Sequence, residues 1–230
     1  RGDLYGEIFL RLQCSWFVKL AGGDVAGARQ DLAVIPEAWN KNRFLLQNVW
    51  QAVNLAELEL YDGRPLEAHK LLTEVWPRIQ RSLFLRAETM RVRAKNARGR
   101  AALAASAAVS DPAERRALLD LVRSTVKELR RERWPLALGY SLLLEAGVLF
   151  SDGDREGARD RLERGITELA SKEASLYTLS ARTRLGQLLG GDKGEAMVKS
   201  SLAMLKEQKI KAPETMVRIF VPFDPTAKSG

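Results

Sequence analysis

A single histidine and a single cysteine leave this 230-residue chain little nucleophilic or metal-binding chemistry. Any histidine-based triad or metal cluster would have to form around His69. That residue stands in Leu66-Glu67-Ala68-His69-Lys70 and reads as a half-exposed polar position on a helix. Cys14 lies among Leu10, Phe17 and Val18 with no histidine near in sequence, so it reads as a small buried hydrophobe rather than a nucleophile. Glu57 and Glu59 stand two apart on a helix and diverge, which is poor spacing for paired acid–base work. The phosphate-binding GxxxxGK[ST], the nucleophile elbow GxSxG and the zinc motif HExxH are absent. So are the glycine-rich loop, strand lysine and catalytic aspartates of a protein kinase. No catalytic residue, metal site or cofactor is expected in this segment.

What remains is recognition chemistry. Lysine and arginine exceed aspartate and glutamate by 37 to 29, a net charge of +8, which raises acidic partners or nucleic acid. Arg78 to Arg100 carries eight basic residues against Glu88 alone. At about 100° per residue, Arg86, Arg93 and Arg100 line one seam between two apolar faces, with Arg91, Lys95 and Arg98 in the other. These arginines either pair with acids on adjacent helices or grip an acidic protein or peptide, including other domains of the same parent chain. Nucleic acid is not expected, because neither a helix-turn-helix signature nor an aromatic stacking platform accompanies them. A second, uncharged set is Gln47, Gln51 and Asn54, which share one helix face beside Trp50. Amides donate and accept at once.

These side chains must be positioned by helices. Hydrophobic residues make up 46% and charged residues 29%, the balance of a chain with a buried core. No run of eighteen apolar residues and no signal peptide occurs, so no membrane partner is expected. The lone cysteine cannot form an internal disulfide, which fits a cytoplasmic setting. The opening Arg1-Gly2-Asp3 therefore carries no adhesion reading. Apolar residues recur at three and four, predicting helices near 3–20, 25–35, 43–61, 65–75, 79–107, 112–131, 135–150, 155–170, 173–189 and 194–208. A short turn after Pro213 and a strand over Val217–Val221 are further expectations. Trp76-Pro77 and Trp134-Pro135 should each break a helix. Residues 1–221 form one continuous domain and 222–230 a frayed tail. The chain begins at Arg1 without methionine and is read as a piece of something longer.

The segment Gly23-Asp24-Val25-Ala26-Gly27-Ala28 recurs from Gly63, Gly153 and Gly191, each glycine preceding an alanine by five. A degenerate copy places Pro112 and Ala117 in the same slots. Leu20, Leu60, Val109, Phe150 and Leu188 stand three before the slot, and Leu32, Leu72, Leu121 and Leu162 nine after, with Ser200 breaking the column. A glycine ends one helix, and a small residue lets the next approach it closely. This pattern resembles the tetratricopeptide repeat, with longer helices and without most of its first-helix aromatics. The resemblance implies an all-α, tetratricopeptide-like α-solenoid of about five helical hairpins. It also implies that first-helix amides face a concave groove and hold a peptide backbone, which marks Gln47, Trp50, Gln51 and Asn54. A merely polar exposed face is the alternative for them.

More specific words are Arg1-Gly2-Asp3-Leu4-Tyr5, Glu59-Leu60-Tyr61-Asp62-Gly63, Val75-Trp76-Pro77-Arg78, Arg81-Ser82-Leu83-Phe84-Leu85-Arg86 and Arg98-Gly99-Arg100-Ala101-Ala102-Leu103-Ala104. Together they resemble the C-terminal helical region of large bacterial serine/threonine protein kinases, most closely over residues 1 to 107. Val221-Pro222-Phe223 resembles the family's closing segment. The resemblance implies a non-catalytic interaction and regulatory domain behind an ATP-dependent kinase and an ATPase module, active in signalling. The alternative is a helical effector-sensing domain of an ATPase-type transcription regulator.

Overall fold

The computed structural model describes residues 3–35 and 44–226. Asp3 accepts the Gly6 N–H and opens α1 (Leu4–Leu10), which passes through one π turn (Arg11–Ser15) into α2 (Trp16–Ala21). Then follow α3 (Val25–Leu32), α4 (Leu46–Tyr61), α5 (Pro65–Arg81), a 3-10 turn (Leu83–Arg86) and α6 (Glu88–Ser106). The second half holds α7 (Pro112–Leu129), α8 (Ala137–Ser151), α9 (Arg155–Ala170), α10 (Ser175–Leu189), α11 (Gly191–Glu207) and α12 (Pro213–Phe220). Among the described residues the fold is all helical and holds no strand. Consecutive helices pack as neighbouring pairs: α2 on α3, α4 on α5, α6 on α7, α8 on α9 and α10 on α11.

Three corners share one geometry. Gly23, Gly63 and Gly153 have φ of +81°, +72° and +87°, a region that costs a side chain strain. Behind them, Asp24, Arg64 and Asp154 send their N–H groups back five residues to the carbonyls of Lys19, Glu59 and Leu149. This closure satisfies the carbonyls that a helix end leaves free. The next helix then buries Ala28, Ala68 and Ala158 completely, with Leu32, Leu72 and Leu162 one turn further on.

The other two repeat copies are shifted. In α7, Asp111 caps the first turn through the Ala113 and Glu114 N–H groups, Ala117 is exposed, and Leu118 and Leu119 fill the seam instead. In α11, Ala196 is exposed and Gly194 takes the buried small-residue position, four beyond the cap. That corner is one residue long, so counting from the glycine slips the register.

Four further expectations are corrected. Pro77 lies inside α5, which continues to Arg81, because Trp76 and Ile79 dock the last turns into the core. The long basic helix begins only at Glu88, after the 3-10 turn. Trp134-Pro135 does separate two helices, and Glu88 pins the link by accepting the Arg133 and Trp134 N–H groups. Val217–Phe220 is the end of α12 and Val221 its C-cap rather than a strand, since Pro213 starts a helix that buries its apolar side. Phe223, expected in a frayed tail, is buried with its ring 5.4 Å from Phe150. Of the remaining expectations, the start of the 43–61 helix, Arg1-Gly2 and the tail end 227–230 lie outside the described residues.

The core follows the pairs. One apolar cluster joins α4, α5 and α6 through Val49, Val53, Leu72, Trp76, Ile79 and Ala101. A second runs from Leu12 and Trp16 through Leu103, Leu129, Leu144 and Leu162 to Phe220.

Candidate functional site

The arginine seam separates into three environments. Arg86 falls on the 3-10 turn and is exposed. Arg93 points inward from α6 and donates to Asn54 Oδ1 at 2.7 Å and Gln13 Oε1 at 3.3 Å. Arg100 is only 2% exposed and donates to Glu57 Oε1 at 2.5 Å and to the Ile219 carbonyl at 2.6 Å. An exposed ladder of three guanidiniums is therefore not formed, because α6 has neighbours on both sides. In the opposite seam Arg91 and Lys95 pair with acids on an adjacent segment, while Arg98 lies over the Trp76 ring. Arg91 clasps Glu132 through two bonds, at 2.7 and 2.5 Å, and Lys95 adds a third at 3.1 Å. The Arg91 hydrogen bonds hold the Glu132 carboxyl below its ordinary range.

The amide face also points inward. Gln47 and Asn54 are buried, Trp50 is 8% exposed, and none of the three forms an open polar surface. Asn54 donates to the Leu12 carbonyl at 2.5 Å, Gln51 to the Leu32 carbonyl at 2.6 Å, and Trp50 Nε1 to Met90 Sδ at 3.3 Å. The two amides do hold a peptide backbone, but it is that of the π turn and of α3. Cys14 is exposed instead of buried, because the π turn rotates it away from Leu12 and Trp16. His69 is half-buried, and burial followed by the nearby Arg98 charge lowers its pKa, so it is neutral at pH 7.

Around Arg100 lies a polar knot that its sequence position did not announce. Asn96 Nδ2 donates to the Tyr177 hydroxyl at 2.9 Å, and the Tyr177 and Tyr140 rings lie 4.5 Å apart. Burial raises both phenol pKa values, so both stay protonated. The Arg100 guanidinium faces the rings of Tyr177 and Phe220 at 5.7 and 6.0 Å. Glu57, Arg100 and Tyr177 come from α4, α6 and α10, so three helix pairs meet here. A second buried cation, Arg184 of α10, is 4% exposed and donates to the Val221 carbonyl at 3.1 Å. Burial pushes its pKa down to about 10. Sequence reasoning missed Arg184 because nothing in Ala181-Arg182-Thr183-Arg184 distinguishes it from its neighbour Arg182.

Alongside opens a cleft of about 1350 Å³, lined by the corner residues Gly63, Ser110 and Gly153 and by Pro222–Asp224. Arg115, Arg116 and Arg218 reach its wall from exposed positions. Arg123 is tied to Asp152 at 2.7 Å and to Asp120 at the same distance. No group of three His, Cys, Asp or Glu able to hold a metal occurs among the described residues. Within the same residues, no helix is long and apolar enough to cross a membrane.

No protein-family model, no curated protein and no solved structure matches the chain.

Proposed function

We propose that this chain is a non-catalytic interaction module, a tetratricopeptide-like solenoid serving as the C-terminal regulatory part of a bacterial serine/threonine kinase in signalling. One observation carries the reading. Asn54 on α4, Arg100 on α6 and Arg184 on α10, each the first helix of its pair, all donate to main-chain carbonyls of distant segments. Side chains that grip backbone oxygen suit recognition of another chain, since every protein segment presents that atom. In such a solenoid, repeated glycine corners would bring the first helices to one face.

The test uses the purified chain against a displayed peptide library and, separately, with Mg-ATP. Saturable peptide binders and no phosphoryl transfer or hydrolysis are expected. An empty selection, or turnover that copurifies with the chain, would overturn the reading. Kinase motifs encoded upstream of Arg1 would support the parentage, and their absence from the parent gene would remove it. A second reading rests on the cleft, whose exposed arginines suit an anionic effector of an ATPase-type transcription regulator. A DNA-binding module in the parent gene would favour it.

A further inference from the structure

The segment after α11 breaks the pairing. Having no partner of its own, α12 packs across α10, in the pair just before it, and α4, far from it in the order of pairs. The Lys211 N–H donates to the Ala21 carbonyl at 2.8 Å, which brings the segment to the first corner. Its far end is held by the two buried guanidiniums, Arg100 on the Ile219 carbonyl and Arg184 on the Val221 carbonyl. Between them the Phe220 ring sits 4.7 Å from Tyr177 and 6.5 Å from Phe17. Phe223 enters beside Phe150, and Asp224 approaches Arg184 at 3.5 Å.

An interior that served stability alone would fill this space with apolar side chains, because buried cations are costly and often replaceable by hydrophobic residues. Here two cations hold main-chain oxygens while aromatic surfaces receive Phe220 and Phe223. Main-chain grip with side-chain pockets is the division of labour of a peptide-binding site. Arg100 Nε is buried without a hydrogen-bond partner, so the seat has donor capacity its occupant leaves unused.

We propose that this seat is a peptide-binding site now filled by the chain's own residues 213–224. Its partner would be a segment of another protein with the same chemistry: a short helix ending in an aromatic, then an extended apolar-proline-aromatic stretch and an acid. Ile219-Phe220-Val221-Pro222-Phe223-Asp224 is the template. The proposal rests on the interaction-module reading and specifies its ligand. The resident segment competes at an effective concentration in the millimolar range, so outside segments enter only when it loosens.

A fluorescein-labelled peptide of residues 212–226 is the probe, read by anisotropy against the full chain. Phe220→Ala/Phe223→Ala loosens the resident segment without altering the seat. This variant is expected to bind the probe at least tenfold more tightly than the unaltered chain, with a scrambled peptide inert. Adding Arg184→Ala should abolish the gain. A folded variant that binds no better, or that binds the scrambled peptide equally, would overturn the proposal. Should the variant unfold, hydrogen exchange on the unaltered chain decides. Millimolar probe should speed exchange of the amides of residues 214–221 at least fivefold while α4 and α10 stay protected, and unchanged exchange would overturn the proposal. Failure here alongside successful library binders removes this ligand and keeps the interaction module.

Discussion

Gly186 and Gly194 bring α10 and α11 into backbone contact. A Cβ on Gly194 would lie 2.4 Å from the Gly186 carbonyl oxygen, and one on Gly186 would lie 2.6 Å from the Gly194 carbonyl oxygen. Neither obstacle is a side chain that can swing aside. Gly186→Ala or Gly194→Ala should therefore destabilise by about 2 kcal/mol or more, since overpacking against fixed atoms forces helices apart. Thermal melts should fall by roughly 4–8 °C for a chain of this size. Gly22→Ala is the control, because its Cβ would meet nothing closer than 3.4 Å at a φ of −75°. It should be neutral.

The buried pair of Arg100 and Glu57 should behave as a unit. Glu57→Leu leaves the guanidinium without its counter-charge and should cost about 3–5 kcal/mol. Glu57→Leu/Arg100→Met removes both charges and should recover most of that loss. The remaining deficit reflects the Ile219 carbonyl, at about 1–2 kcal/mol for a buried acceptor left unpaired. Urea unfolding of the unaltered chain, Glu57→Leu, Arg100→Met and the double variant measures the coupling, and additive single effects would contradict it.

Acid should act through Glu132. Its carboxyl is held below the ordinary 4.5 by the Arg91 hydrogen bonds, with Lys95 adding to them. A group with a depressed folded-state pKa contributes stability that is fully present above the unfolded value. That contribution fades as pH falls below 4.5 toward the folded value. Arg91→Gln should lower stability at neutral pH and flatten the acid limb of the stability curve. Parallel curves for the two proteins would contradict this.

Two corners place ordinary residues where glycine would serve better. Glu173 and Lys209 have φ of +57° and +67° and close the same five-back hydrogen bond, from Ala174 to Leu169 and from Ile210 to Leu205. A left-handed non-glycine residue costs about 1–2 kcal/mol. Glycine's greater unfolded-state entropy takes back roughly half of that. Glu173→Gly/Lys209→Gly should raise stability by about 1 kcal/mol and the melting temperature by about 2–4 °C.

Much of the helical order is legible in the residues. Gly23, Gly63 and Gly153 announce their corners because a left-handed turn has one cheap occupant. Ala28, Ala68 and Ala158 follow because close packing needs a small side chain. The two shifted copies were illegible for a related reason. In α11 the role of alanine passes to Gly194, and in α7 an aspartate cap replaces the glycine turn altogether. The site was less readable than the fold. A face of Gln47, Gln51 and Asn54 looks the same in sequence whether water or the Leu12 and Leu32 carbonyls sit opposite. Arg100 reads as one more surface cation until α12 is seen to cross α4 and α10, a long-range arrangement that no local periodicity encodes. Pro77 shows the converse, since burial of Trp76 and Ile79 overrides a local signal to stop.

The bond from Lys211 to Ala21, at 2.8 Å, has a consequence for how this molecule comes apart. A row of pairs touching only nearest neighbours can melt from either extremity, losing one member at a time. Here the first corner and the last are buckled together, and Phe17 and Phe220 meet beside the clasp. Neither extremity can fray while the buckle holds, so the row should melt as a single event, and opening the buckle is the step that must come first.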